Sequence, residues 1–327
     1  MRWRLATFLC ALCAIAACGG ESGTDRPNED ASLLLDFTPN AVHAGIYMAV
    51  ARGYDTAEGV GLKVRKPGAS TDGLKLLRSG RVDMAILDIH DLGLARQQGA
   101  DLVGVMAFVQ RPLAAVLAQP SIRSPRALEG RRAGVTGLPS DSAVLRSVIA
   151  GDGGDPDRVR ETTIGFEAVK ALLARRVDAA TAFWNVEGVA LRERRPGIRE
   201  FRVDDYGAPT YPELVLTVTR RTLDERRPLV LAAIRGLQRG YAETQADPES
   251  AVSTMLERER SLDRAVLAAQ LDAVSPAFSA GARGFGELRP QALRSWAAWD
   301  LRFGILDKPL DVRAAFDTTL VGRLRNP

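Results

Sequence analysis

Cysteine is nearly absent from this 327-residue chain, and the few that occur are all at one end. Cys10, Cys13 and Cys18 fall within the first 18 residues. The remaining body therefore has no material for a disulfide framework, a cysteine zinc site or a thiol nucleophile. Histidine is scarcer still: His43 and His90 are the only two, too few for a His-rich metal site. Lysine is limited to five residues, while arginine and alanine abound, a bias more typical of codon composition than of a phosphate-binding surface. The pI near 9.1 corresponds to a net charge of only +4, part of which is Arg2 and Arg4 at the N-terminus, so the charge gives no support to nucleic-acid binding. GxSxG, GxxxxGK[ST] and HExxH are all missing. Nothing marks an enzyme, and neither a cofactor nor a metal is expected.

What is present begins with the N-terminus. Arg2 and Arg4 are followed by Leu5 to Ala17, apolar or small except for Thr7. That run is too short to span a bilayer as a helix, for which about 20 residues are needed, and reads as a cleaved signal. Ile15-Ala16-Ala17-Cys18 resembles the lipobox of bacterial lipoproteins. On that resemblance residues 1–17 are a signal peptide and Cys18 is acylated, which makes the protein exported and lipid-anchored at the outer face of the membrane. The alternative is an ordinary signal peptide with a cysteine near its cut. Residues 18–32, rich in Gly, Ser, Asp, Glu and Pro, cannot bury a core and read as a flexible tether. About 295 residues remain, enough for one large or two medium domains.

Within that body, strand-like apolar runs alternate with helix-like segments: Ser32 to Phe37, Gly45 to Arg52, Leu62 to Arg65, Thr71 to Ser79, Asp83 to Leu87 and Asp91 to Gln98. This is the signature of βαβ units on a mainly parallel sheet. The pattern restarts with a strand at Arg132 to Thr136 and a helix capped by Ser140 or Asp141. Lys75 to Ala85 (KLLRSGRVDMA) is echoed by Lys170 to Ala180 (KALLARRVDAA). Either two similar lobes are present or a common helix–turn–strand unit recurs by chance. After Tyr211 a buried strand, Glu213 to Thr219, leads into a helical region with Pro228, Pro248 and Pro290 at first-turn positions. The expected architecture is α/β, with residues 33–113 plus 214–327 as lobe 1, residues 114–213 as lobe 2, and a ligand cleft between them.

Candidate binding residues follow from where the strands should end, since carboxyl ends of parallel strands face the crevice. His43 and His90 both follow predicted strands. In Leu35 to Ala49 a strand turns at Pro39-Asn40 into a helix, so Asn40 and His43 either face a ligand or serve as a cap and its locally satisfied partner. Phe183-Trp184-Asn185-Val186-Glu187 places an aromatic plane beside an amide and a carboxylate, suited to stacking on a flat heteroaromatic ring and bonding its edge. Glu187 could instead favour a helix N-terminus. In Asp205 to Glu213, the acid before an apolar strand needs a partner. That partner is either an amino-substituted ring or one of the many arginines.

Together these segments resemble the periplasmic binding proteins that include bacterial formylaminopyrimidine or hydroxymethylpyrimidine carriers and fungal thiamine-pyrimidine synthases. The resemblance rests on Leu35-Asp36-Phe37-Thr38-Pro39-Asn40 with His43 and Gly45, on Gly80 to Ala85, on Trp184-Asn185-Val186-Glu187-Gly188, and on Asp204-Asp205-Tyr206-Gly207 with Tyr211 and Glu213-Leu214. It implies a type II periplasmic binding protein, monomeric, that delivers a substituted pyrimidine to the permease and ATPase subunits of an ABC importer. The implied ligand-binding residues are Phe37, Asn40, His43, Tyr47, Asp88, Trp184, Asn185, Glu187, Tyr211 and Glu213. Fungal synthases carry a lysine for pyridoxal phosphate where this chain has Leu87-Asp88, and a cysteine-rich run where it has Tyr211-Pro212-Glu213. Transport is therefore the expectation, with riboflavin or sulfonate binding, or a synthase-like enzyme, as alternatives.

Overall fold

The computed structural model describes residues 29–68 and 73–321. Cys18, the lipobox and the signal lie outside the described residues. Among the described residues the strands are β1 (Glu29–Leu34), β2 (Val60–Arg65), β3 (Met84–Asp88), β4 (Leu102–Ala107), β5 (Ala114–Ala118), β6 (Arg132–Val135), β7 (Arg160–Thr163), β8 (Ala179–Phe183), β9 (Arg199–Arg202) and β10 (Leu214–Thr219). They form two five-stranded sheets, ordered β2-β1-β3-β10-β4 and β7-β6-β8-β5-β9. Within each sheet the βα units are parallel, as the alternation predicts. The strand that enters from the other sheet runs against them: β10 pairs antiparallel with β3 and β4, and β5 with β8 and β9. Each sheet is therefore mixed. The sheets are joined by residues 108–113 going out and 207–213 coming back.

β1 begins at Glu29, inside the stretch whose composition suggested a tether. Its polar start is held in register along β2 from Glu29↔Val60 onward, and Arg226 pairs with both Glu29 and Asp83. Backbone pairing and ion pairs here override a composition poor in apolar residues. β7 reads RETT and is exposed throughout, so no hydrophobic alternation announced it.

Packing is closest where the first helix of lobe 1, Ala44–Ala51, crosses the long helix Arg227–Ala246. A Cβ on Gly240 would lie 2.1 Å from the Gly45 carbonyl oxygen, and one on Gly45 would meet the Tyr241 ring at 2.3 Å. Glycine at both positions lets the backbones touch. Tyr241 is buried, stacks on Phe285 with centroids 3.9 Å apart, and donates to the Val42 carbonyl at 2.6 Å. This contact fixes the loop that precedes the helix, and with it the segment that borders the cleft. No described helix is long and apolar enough to cross a membrane.

Candidate functional site

The loop after β1 is organised around Asn40 and His43. Asn40 Oδ1 accepts from Val42 N at 2.9 Å and its Nδ2 donates to the Thr38 carbonyl, while His43 Nδ1 accepts from Asn40 N at 3.2 Å. His43 Nε2 then donates to Asp36 Oδ1 at 2.8 Å. Both side chains are buried and fully engaged. These bonds form a capping box, the capping alternative left open by the sequence. Tyr47 is likewise committed: its hydroxyl donates to Glu259 Oε1 at 2.8 Å and the ring is buried.

Trp184, expected as a stacking wall, is only 2% exposed. Its indole Nε1 donates to the Pro112 carbonyl at 2.9 Å, and the Arg202 guanidinium lies 4.1 Å from its ring centroid. The ring packs under the outgoing crossover, leaving no open face for a ligand. Glu213, expected to read a ligand edge, is 1% exposed and its Oε2 accepts from Leu113 N at 2.7 Å and Ala114 N at 3.2 Å. One carboxylate on the returning crossover thus binds two amides of the outgoing one. No arginine pairs with Glu213 among the described residues. Tyr211 is also fully buried, its hydroxyl 3.2 Å from His90 Nε2.

Around His90 lies a cluster that no local pattern announced. Asp300, on the helix Pro290–Arg302, places Oδ2 2.8 Å from His90 Nδ1, and Trp296 and Trp299 of the same helix flank the imidazole. Burial opposes a charge on His90, but Asp300, Asp88 and Glu213 outweigh it and push its pKa up to about 10. Among the described residues, Asp88, His90 and Glu213 each bring a possible metal-ligand atom within 4.8 Å of one another. Both ring nitrogens of His90 are already engaged by Asp300 and Tyr211, so this is a hydrogen-bonded ionic cluster rather than a metal centre.

Of the expected residues, Phe37 and Glu187 interact across the lobes. Phe37 meets Phe166 of lobe 2 with centroids 5.3 Å apart, and Phe166 is 47% exposed. Phe166 was not anticipated: it follows a polar strand and a left-handed Gly165 and belongs to no apolar pattern. Glu187, half-buried at the start of the helix Glu187–Arg194, accepts from Phe183 N at 3.2 Å. Burial, reinforced by Asp141 of its own lobe and Asp36 of the other, pushes its pKa up to about 7. Asp91 is pushed up to about 6 by burial, with Asp141 and Glu213 adding to it and His90 opposing. Asp141 and Asp36 thus act on Glu187 from the two lobes. Asn185, close to Glu187 in the chain, is fully buried, yet neither its Oδ1 nor its Nδ2 has a partner among the described residues. The interlobe space is suited to a flat ligand that donates hydrogen bonds or carries positive charge, and poorly suited to an anion.

Comparison with known proteins agrees on the fold. The alkanesulfonate-binding protein SsuA from Xanthomonas axonopodis superposes with a TM-score of 0.71 at 17% identity, covering 89% of this chain and 98% of that one. Among curated relatives, the formylaminopyrimidine-binding protein of Halalkalibacterium halodurans is 30% identical over 258 residues, 78% of each chain. The riboflavin-binding protein RibY of Chloroflexus aurantiacus is 27% identical over 307 residues, 90% of this chain and 86% of the relative. The architecture is that of the periplasmic binding proteins. The family model described as NMT1/THI5 like matches residues 40–251, a span running from the Asn40 cap through both crossovers, and the chain belongs to the NMT1/THI5-like family.

Proposed function

We propose that the protein captures an amino-substituted pyrimidine of the thiamine-precursor type, hydroxymethylpyrimidine or formylaminopyrimidine, and hands it to the permease and ATPase subunits of an ABC importer. The observations that carry this reading are Glu187, whose pKa burial, Asp141 and Asp36 push up to about 7, and the interlobe contact of Phe37 with Phe166. The ring inserts against Phe37, displacing Phe166 from it. Glu187 accepts from the exocyclic amine, and the unpaired amide of Asn185 supplies one donor and one acceptor to the ring edge. A sulfonate would instead meet the carboxyls of Glu187, Asp36 and Asp141. The lipid on Cys18 keeps the receptor at the membrane that holds its importer. No catalytic group is assigned: Leu87-Asp88 stands where a synthase's lysine would be.

Riboflavin is the second reading, favoured by the long match to RibY. Calorimetry with hydroxymethylpyrimidine, formylaminopyrimidine, riboflavin and taurine separates these possibilities. The pyrimidines are expected to bind one to one, and Glu187→Ala to weaken them roughly 10 to 150-fold, the worth of a charge-assisted hydrogen bond of about 1.5–3 kcal/mol. Binding of riboflavin alone, or pyrimidine binding unchanged by Glu187→Ala, contradicts the proposal.

A further inference from the structure

The two crossovers meet at a group of acids that the ligand reading does not use. Glu213 donates nothing and accepts through Oε2 from the outgoing crossover. Its other oxygen, Oε1, is buried with no N–H or O–H partner, the nearest cation being His90 Nε2 at 3.8 Å. A carboxylate oxygen of Asp88 lies within 4.8 Å of one of Glu213. Two carboxylates repel; they form a hydrogen bond only when one proton lies between them. We infer that Asp88 and Glu213 hold one proton in common and that this proton keeps the interlobe hinge pinned.

Charge counting around the pair supports a proton there. From the β3 end come Asp88 and, on the helix Ile89–Gln97, His90 and Asp91. The returning crossover contributes Tyr211 and Glu213, and the helix Pro290–Arg302 contributes Asp300. Asp141 acts on the same group through Asp91 from lobe 2, and Asp204 is neutralised by Arg111. Against Asp88, Glu213 and Asp300 the cluster itself offers one cation, His90, itself held 2.8 Å from Asp300. Fully ionised, the buried group carries excess negative charge, which burial makes expensive.

Two amide bonds favour the ionised form of Glu213, which leaves the proton on Asp88. Burial is the main cause raising Asp88 well above the usual carboxylate range. Asp88 is half-buried while His90, Tyr211, Glu213 and Asp300 are buried, so its carboxyl is more open to exchange with solvent than theirs. Its Oδ1 accepts from His90 N at 2.8 Å and caps the following helix, leaving its other oxygen to carry the proton. When base removes that proton, Asp88 and Glu213 repel, Glu213 is driven off Leu113 N and Ala114 N, and the outgoing crossover loosens. Acid, by retaining the proton, leaves the pin intact. The inference is independent of which ligand the cleft takes.

Hydrogen exchange of the full chain tests this. Protection of the Leu113 and Ala114 amides, corrected for the intrinsic rate at each pH, is expected to fall at least tenfold between pH 6 and pH 9 in the wild type. In Asp88→Asn, where the side-chain amide supplies a permanent donor to Glu213 and keeps the cap, protection is expected to stay level. Glu213→Gln, which donates to Asp88 and accepts from both amides, should behave in the same way. Level protection in the wild type overturns the inference, as does a fall of equal size in both variants. A zinc- or calcium-dependent gain in wild-type melting temperature that Asp88→Asn abolishes also overturns it, because the cluster would then hold a metal cation in place of the proton.

Discussion

Replacing Glu213 by alanine separates a hinge role from a ligand role. In the wild type one carboxylate oxygen satisfies the amides of Leu113 and Ala114, residues 0% and 8% exposed. Truncation orphans both donors, and a buried unsatisfied donor costs about 1–3 kcal/mol, so the loss should be about 2–6 kcal/mol. Against the roughly 5–15 kcal/mol by which domains are stable, that is a large fraction. Glu213→Gln keeps an oxygen for the amides and should lose less than about 1.5 kcal/mol, the net worth of one ordinary hydrogen bond. Urea unfolding read by circular dichroism, with the m-value unchanged between variants, gives both numbers. If Glu213→Ala lies within about 0.5 kcal/mol of the wild type, a typical effect for a surface substitution, the hinge assignment fails. Loss of pyrimidine affinity without loss of stability would return Glu213 to the ligand.

Other outcomes follow from the same geometry. Gly240→Ala should destabilise by about 1–3 kcal/mol or more, the cost of overpacking, since its Cβ would sit 2.1 Å from a backbone oxygen that cannot move aside; thermal melts check this. Because His90 is pushed from 6.5 to about 10 on folding, its contribution is complete below pH 6.5 and is lost as pH rises toward 10, by up to about 1.4 kcal/mol per pH unit. Asp300→Asn removes a main cause of that shift and should flatten the decline, measured as unfolding free energy against pH. Trp184, covered by Arg202 and bonded to Pro112, should change little in emission on ligand binding when it is the only tryptophan present; strong quenching would place the ligand against it.

Long-range structure was legible where a local rule carried it. The alternation of apolar runs and helical segments identified β1 to β3, the helices between them and the restart at β6, because each βα unit is written within about 30 residues. The polar β7 was invisible, since an exposed edge strand has no hydrophobic period. β10 was read as a strand, but nothing local reveals that it runs against its neighbours. Asn40 and His43 follow a strand as the sequence indicates, and their three-residue spacing is that of the capping box they form. Glu213 is an acid with no evident local partner before an apolar strand; its partners are backbone amides 100 and 99 positions away. Asp300, 210 positions from His90, and Phe166 across the cleft had no signal in the chain, because both contacts exist only once the lobes are assembled.

The most direct measurement is isothermal titration of hydroxymethylpyrimidine and taurine into the wild-type protein and Glu187→Ala. Glu187 with Asp36 and Asp141 acting on it from the two lobes predicts one-to-one pyrimidine binding, weakened roughly 10 to 150-fold in the variant, with no heat from taurine. Taurine binding as tightly as the pyrimidine, or equal pyrimidine affinity in both proteins, would contradict a cleft built for an amino-bearing ring.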